Sequence, residues 1–112
     1  MNQVIATNLR DAKATLEQVA SLETKIVGAA GAIADALLSG NKLMACGNGG
    51  SAADGADFAT EFACRFTNDR QPFPAINLAA CGSLLTATVN DYGVEEIFSR
   101  PVRAFGQSGD VL

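Results

Sequence analysis

Lys42-Leu43-Met44-Ala45-Cys46-Gly47-Asn48-Gly49-Gly50-Ser51-Ala52-Ala53-Asp54 is the stretch on which the reading of this chain turns. An apolar run enters a glycine-rich turn and leaves as a helical pattern, the arrangement by which parallel α/β proteins hold an anion. The glycines permit positive φ and a close approach of backbone to a ligand. The helix that follows turns its free N–H groups and its positive dipole end toward the turn. Ser51 stands where an N-cap is expected, and Asp54 completes a capping-box-like S-x-x-D. The turn is not a P-loop, which needs G-x-x-x-x-G-K-[ST]. Nor is it a dinucleotide fingerprint, because glycines 47, 49 and 50 have the wrong spacing for G-x-G-x-x-G.

Downstream, a helix is expected from about 52 to 66. Phe58, Phe62 and Phe66 mark one side of it as core material, and Asp54, Asp57 and Glu61 form an acidic stripe nearby. Arg65, four residues after Glu61, offers a plain surface ion pair, and on spacing alone that is the stronger reading of the stripe. Asn68 to Pro74 is a loop by composition, and 75–79 is a second short strand. Cys81-Gly82-Ser83 opens another turn. Leu84 to Val89 reads as a short helix capped by Ser83, and Asn90-Asp91-Tyr92-Gly93 breaks it near the carboxyl edge of the sheet. Val94 to Phe105 is helical in pattern, with Pro101 forcing a kink or a restart. Gly106 to Gly109 is a turn, and Asp110-Val111-Leu112 begins a third strand. A parallel sheet left there has an open edge, so the chain is expected to be a fragment of a longer protein or to be completed by another subunit.

Upstream, residues 3 to 38 read as helix. Ile5, Leu9, Ala12, Leu16 and Val19 step by four and three, and Ile26, Ala30, Ile33 and Leu37 repeat the rhythm. The register slips near Ser21, so two helices are expected, with Ser21 as a cap. They either cover a sheet face or build a subunit-interface bundle. Ser39-Gly40-Asn41 ends the second helix. The division expected is therefore 1–38, N-terminal helices, and 39–112, part of a ligand-binding α/β domain.

Composition bounds the function classes. With 112 residues, 48% of them hydrophobic, the chain suits one packed domain at most. A net charge of −4 argues against direct nucleic-acid binding. No apolar run approaches a membrane span, and no secretory signal is read at the start. Cysteines 46, 64 and 81 are odd in number and lack metal spacing, which points to reduced thiols in a cytoplasmic protein. Cys46 ends a strand at the ligand edge, where a small buried residue is a stronger reading than a reactive thiol. Histidine is absent, so no imidazole acid, base or metal ligand comes from these residues.

The Gly turn and its flanks resemble the first phosphosugar loop of the sugar isomerase (SIS) domain, and more narrowly that of the phosphoheptose isomerases. Phe58-Ala59-Thr60-Glu61-Phe62, Arg65-Phe66, Pro74-Ala75-Ile76, Asn90-Asp91-Tyr92-Gly93, Ile97-Phe98-Ser99-Arg100 and Gly109-Asp110-Val111-Leu112 continue the likeness in order. The resemblance implies a doubly wound, flavodoxin-like parallel α/β domain with an N-terminal helical extension, assembled as a homotetramer and incomplete in this chain. It implies isomerisation of sedoheptulose 7-phosphate to a mannoheptose 7-phosphate through an enediol, toward the heptose of lipopolysaccharide. Asn48, Gly49, Gly50 and Ser51 would line the sugar-phosphate site, and Asn90 and Asp91 would hold sugar hydroxyls. Glu61 would be the general base, a role that suits a carboxylate whose pKa burial lifts.

The resemblance also implies zinc beside that glutamate, usually with a histidine four residues before it. Here that residue is Asp57, which leaves Asp57 and Glu61 as a carboxylate metal pair. The family's second phosphate loop and its distal Gln and His would follow Leu112, so these 112 residues alone are expected to be inactive. The alternatives are a non-catalytic SIS protein that binds a replication initiator and a sugar-phosphate sensor. The retained Glu61 favours the enzyme, and Asp57 counts the other way.

Overall fold

The computed structural model describes residues 2–112, which form two compact units, 2–32 and 33–112. In the first, α1 runs Gln3–Val19, capped by Asn2, whose side-chain oxygen accepts from Val4 N at 2.9 Å. A 3₁₀ turn at Ala20–Leu22 makes the expected break, and α2 follows from Glu23 to Leu38. Ser21 does not cap α2. Its hydroxyl donates back to Gln18 O at 2.7 Å, the local competition with helix bonding that serine favours. The apolar positions Ile5, Leu9 and Leu16 are exposed.

In the second unit, α2 ends as the Ser-Gly-Asn sequence requires. Gly40, at φ +84°, donates to Leu37 O at 3.2 Å, and Asn41 donates to Ala36 O at 2.9 Å. Those two bonds make a Schellman motif and satisfy carbonyls that a helix end would otherwise orphan. The chain then enters β1, Leu43–Ala45. From β1 it passes through α3 (Gly50–Ala63) to β2 (Ala75–Asn77), which pairs parallel with β1, Leu43 facing Ala75. α4 (Gly82–Tyr92), a 3₁₀ turn at Val94–Glu96 and α5 (Ser99–Phe105) lead on to Val111. Val111 bridges Leu43 in parallel on the opposite side from β2.

β1 is thus central, flanked by β2 and by the start of a third strand: the first crossover runs from β1 to β2, and the second runs from β2 back past β1 to its other side. That is doubly wound topology, with its switch point at the carboxyl end of β1, where residues 46–50 emerge. Leu43 and Met44 are both buried, as a strand covered on two faces demands. The third strand is held in register by Asp110. Its carboxylate accepts from Lys42 N at 2.9 Å, Lys42 Nζ at 2.6 Å and Gln107 N at 2.7 Å, with the Asp110 side chain 3% exposed. These bonds, led by the Lys42 ammonium, hold the Asp110 carboxyl below its ordinary pKa.

Several local expectations are corrected. The strands are three residues each, shorter than the 42–46 and 75–79 expected. α4 runs three residues past Val89, so Asn90 and Asp91 lie in its last turn and Gly93, at φ +95°, ends it. Ser83 is not its cap: Cys81 holds that position without a side-chain bond. Pro101 brings a restart, sitting in the first turn of α5 where its missing N–H has no intrahelical acceptor to lose. Phe58 is exposed because α3 turns Ala52, Gly55, Ala56 and Ala59 inward instead, and α3 ends at Ala63 and not at 66, which leaves the exposed Phe66 in the loop beyond it. A Cβ on Gly55 would stand 3.5 Å from Ala45 Cβ, a measure of how closely the helix lies on β1. Among the described residues no helix is long and apolar enough to cross a membrane.

Candidate sugar-phosphate site

The turn between β1 and α3 is built by two glycines with different duties. Gly47 passes against the first turn of α3, where a Cβ would lie 2.7 Å from the Ser51 carbonyl carbon and 2.8 Å from its Cβ. Gly49, at φ +55° and ψ −123°, occupies the left-handed half of backbone space and is the N-cap. This conformation starts the helix at Gly50. Ser51 is therefore the second helical residue and not the cap, and the S-x-x-D box is not formed. Ser51 N donates to Asn48 O at 3.1 Å, and Ala52 N and Ala53 N both donate to Gly49 O, at 3.1 and 3.4 Å. Among the described residues the N–H groups of Asn48, Gly49 and Gly50 have no backbone acceptor.

Those three donors open at the sheet's switch point and at the positive end of a 14-residue helix. All three residues are exposed, and free N–H groups at a helix N-terminus suit phosphate or sugar oxygens. Cys46, at the rim, is exposed, which corrects the expectation of a buried residue. The strand ends at Ala45, one residue too early to tuck Cys46 inside. Behind the turn, Asn77 was not anticipated as a structural tie. Its amide nitrogen donates to Ala52 O at 3.0 Å and its oxygen accepts from Ala79 N at 3.0 Å. An asparagine closing a strand, where the side chain can bond a following N–H, was the available signal.

The other candidates occupy separate places. Asp57 and Glu61 stand one turn apart on α3, on the side away from β1, with Asp57 exposed and Glu61 half-buried. Glu61 is eleven residues beyond Gly50 in the sequence, about 16 Å along the helix axis. The expected Glu61–Arg65 ion pair is not formed among the described residues; Arg65 reaches Thr67 O at 3.5 Å. Asn90 donates to Asp91 Oδ1 at 2.8 Å, and Asn90 also borders a hollow of about 350 Å³ with Leu85, Val89 and Ile97. The Cys81 thiol is exposed and its pKa is lowered, first by the Ser83 hydroxyl and then by the Leu84 N–H.

The donors present fit zinc only in part. Asp57 and Glu61 offer two carboxylates, whereas a zinc ion takes four ligands. Among the described residues no group of three or more Cys, Asp and Glu is placed to hold a metal.

The SIS domain family model matches residues 8–112. The phosphoheptose isomerase of Bordetella avium (strain 197N) is 44% identical, over 100% of this chain and 57% of that protein. That of Shewanella halifaxensis (strain HAW-EB4) is 48% identical, over 82% of this chain and 47% of its own length. Among solved structures, phosphoheptose isomerase GmhA from Neisseria gonorrhoeae superposes with a TM-score of 0.83 at 38% identity, covering 96% of this chain and 55% of that one. A phosphoheptose isomerase from Francisella tularensis gives 0.87 at 31% identity, covering 97% and 57%. The chain spans about half the length of the curated relatives it matches.

Proposed function

The chain belongs to the SIS-domain family, and on that premise we propose that it supplies the sugar-phosphate turn and the general base of a phosphoheptose isomerase. The reaction proposed is interconversion of sedoheptulose 7-phosphate and D-glycero-D-manno-heptose 7-phosphate. The observation that carries this reading is the run of three exposed N–H groups without backbone acceptors, Asn48, Gly49 and Gly50, at the switch point. Its support is the likeness to proteins named phosphoheptose isomerase.

In this reading the Asn48–Gly50 N–H groups and Ser51 hold oxygens of the sugar phosphate, and Asn90 and Asp91 hold hydroxyls. Glu61 takes the proton from C1 of the ketose. The C1–H electron pair becomes the C1–C2 double bond, and the carbonyl pair moves onto O2, giving the enediol stage. The protonated Glu61 then returns its proton to C2, which takes it with the C1–C2 double-bond pair, while the O1 proton passes to O2 and the O1–H pair closes the C1=O bond of the aldehyde. Zinc enters only as an ion to which Asp57 and Glu61 would lend two ligands, and no step is taken through it. The same reading puts the protein in the cytoplasm as a homotetramer, at the first step toward lipopolysaccharide heptose.

The test is a sedoheptulose 7-phosphate isomerisation assay on the intact protein and on Glu61→Gln. Turnover in the first and none in the second, with sugar-phosphate binding retained, is the expected result. No turnover by the intact protein, with or without added zinc, refutes the enzyme and favours the non-catalytic SIS protein that binds a replication initiator.

A further inference from the structure

Glu61 lies in the last turn of α3, which ends at Ala63. Helices fray at that point, because the final four carbonyls have no donor within the helix. Here three of the four, those of Thr60, Glu61 and Phe62, are met from beyond the helix end. Cys64 N donates to Thr60 O at 2.8 Å. The next two carbonyls are taken by one side chain: Arg70 Nη2 donates to Glu61 O at 2.5 Å, and Nη1 donates to Phe62 O at 3.0 Å. Nη1 also donates to Gln71 O at 2.9 Å, while Phe73 N adds a second bond to Phe62 O at 3.0 Å. The guanidinium carbon stands 5.0 Å from the centroid of the Phe73 ring.

Arg70 is half-buried, and among the described residues it forms no ion pair; each of its bonds ends on a carbonyl. A planar fork is what two successive carbonyls require, and an ammonium cannot reproduce it. The positive charge also suits the negative end of the helix dipole. We propose that Arg70 is a positioning residue for Glu61. It locks the last turn of α3 and so holds the Glu61 carboxylate in one orientation toward its substrate. This rests on the reading of Glu61 as the general base.

The experiment combines amide hydrogen exchange with steady-state kinetics on the intact protein, using Arg70→Ala, Arg70→Lys and Glu61→Gln. In Arg70→Ala the amides of Phe62, Ala63 and Cys64 exchange roughly tenfold faster, while those of Asp54 and Gly55 in the first turns keep their protection. That retained protection shows the variant is folded. Its kcat falls roughly tenfold or more with KM nearly unchanged. Free guanidinium at non-denaturing concentration restores both readouts, and Arg70→Lys restores neither. Unchanged exchange in the last turn overturns the proposal whatever the activity. So does faster exchange with full kcat, in a protein that Glu61→Gln inactivates. If Glu61→Gln retains turnover, or the intact protein has none, the reading of Glu61 as base has failed first, and the role of Arg70 falls with it.

Discussion

Alanine placed at each glycine of the turn in succession separates the physical reasons for having glycine there. At Gly47 the new Cβ would lie 2.7–2.8 Å from the Ser51 carbonyl carbon, Cβ and carbonyl oxygen, two of them backbone atoms that cannot rotate away. The turn must then shift off the helix, an overpacking cost of about 1–3 kcal/mol. At Gly49 nothing stands within 4 Å, but φ is +55° with ψ −123°, a region open essentially to glycine, so alanine meets conformational strain alone, about 1–3 kcal/mol. At Gly50 there is neither contact nor positive φ, and the residue begins a helix. Alanine there narrows the unfolded ensemble and stabilises by about 0.4–1 kcal/mol. The expected order of stability is therefore Gly50→Ala above wild type, with Gly49→Ala and Gly47→Ala both below it. For a small domain a loss of 2 kcal/mol lowers Tm by roughly 8–16 °C. Urea unfolding followed by helix circular dichroism, without ligand, gives the differences directly. A Gly50→Ala protein as unstable as Gly47→Ala would refute the reasoning, because the glycines would then act through something other than space and φ.

Two further outcomes follow from titratable groups outside the turn. The Asp110 carboxyl is held below its ordinary pKa by its bonds to Lys42 and Gln107. Its contribution is thus fully present above the unfolded carboxylate value of about 3.9 and is lost as pH falls through the lower folded value. The gap in urea midpoint between wild type and Asp110→Asn should be constant at neutral pH and close under strong acid; a gap independent of pH would contradict it. Cys81, with its thiol pKa lowered by Ser83 and Leu84, should be alkylated faster at neutral pH than Cys46 or Cys64. Peptide mapping after brief iodoacetamide treatment checks the order, and Ser83→Ala should slow Cys81 specifically.

What could be read from the sequence was what local pattern determines. The Gly turn, the break near Ser21, the Schellman end at Gly40 and the order strand, helix, strand depend on neighbours three to five residues apart. Where the reading went wrong, a short-range rule met a competitor it could not see. Ser51 has the chemistry of a cap, but the positive φ of Gly49 starts the helix one residue early and takes that position. The phenylalanines of α3 are its most apolar residues, yet small side chains face the sheet because β1 and α3 lie so close. Gly55, Ala56 and Ala59 announce that approach only to a reader who asks which face is smooth rather than which is oily. Asn90 and Asp91 were read as a helix break by propensity. The helix runs on through both exposed residues to Gly93, whose φ of +95° ends it.

The residues that pattern could not show act over longer reach. Lys42 and Asp110 are 68 positions apart, and neither has a motif of its own, yet their pairing decides which side of β1 the third strand takes. With the strand on that side, the turn after β1 lies at a switch point; were the strand paired beyond β2, β1 would be the edge strand of a one-way winding and its turn would lose the crevice. Arg70 stands in a stretch legible only as loop, and its partners are backbone carbonyls, which carry no sequence signature. The candidate site is therefore specified twice over. Glycine spacing makes a cradle wherever it occurs, whereas two distant charged side chains set where that cradle opens and how firmly the far end of its helix is held.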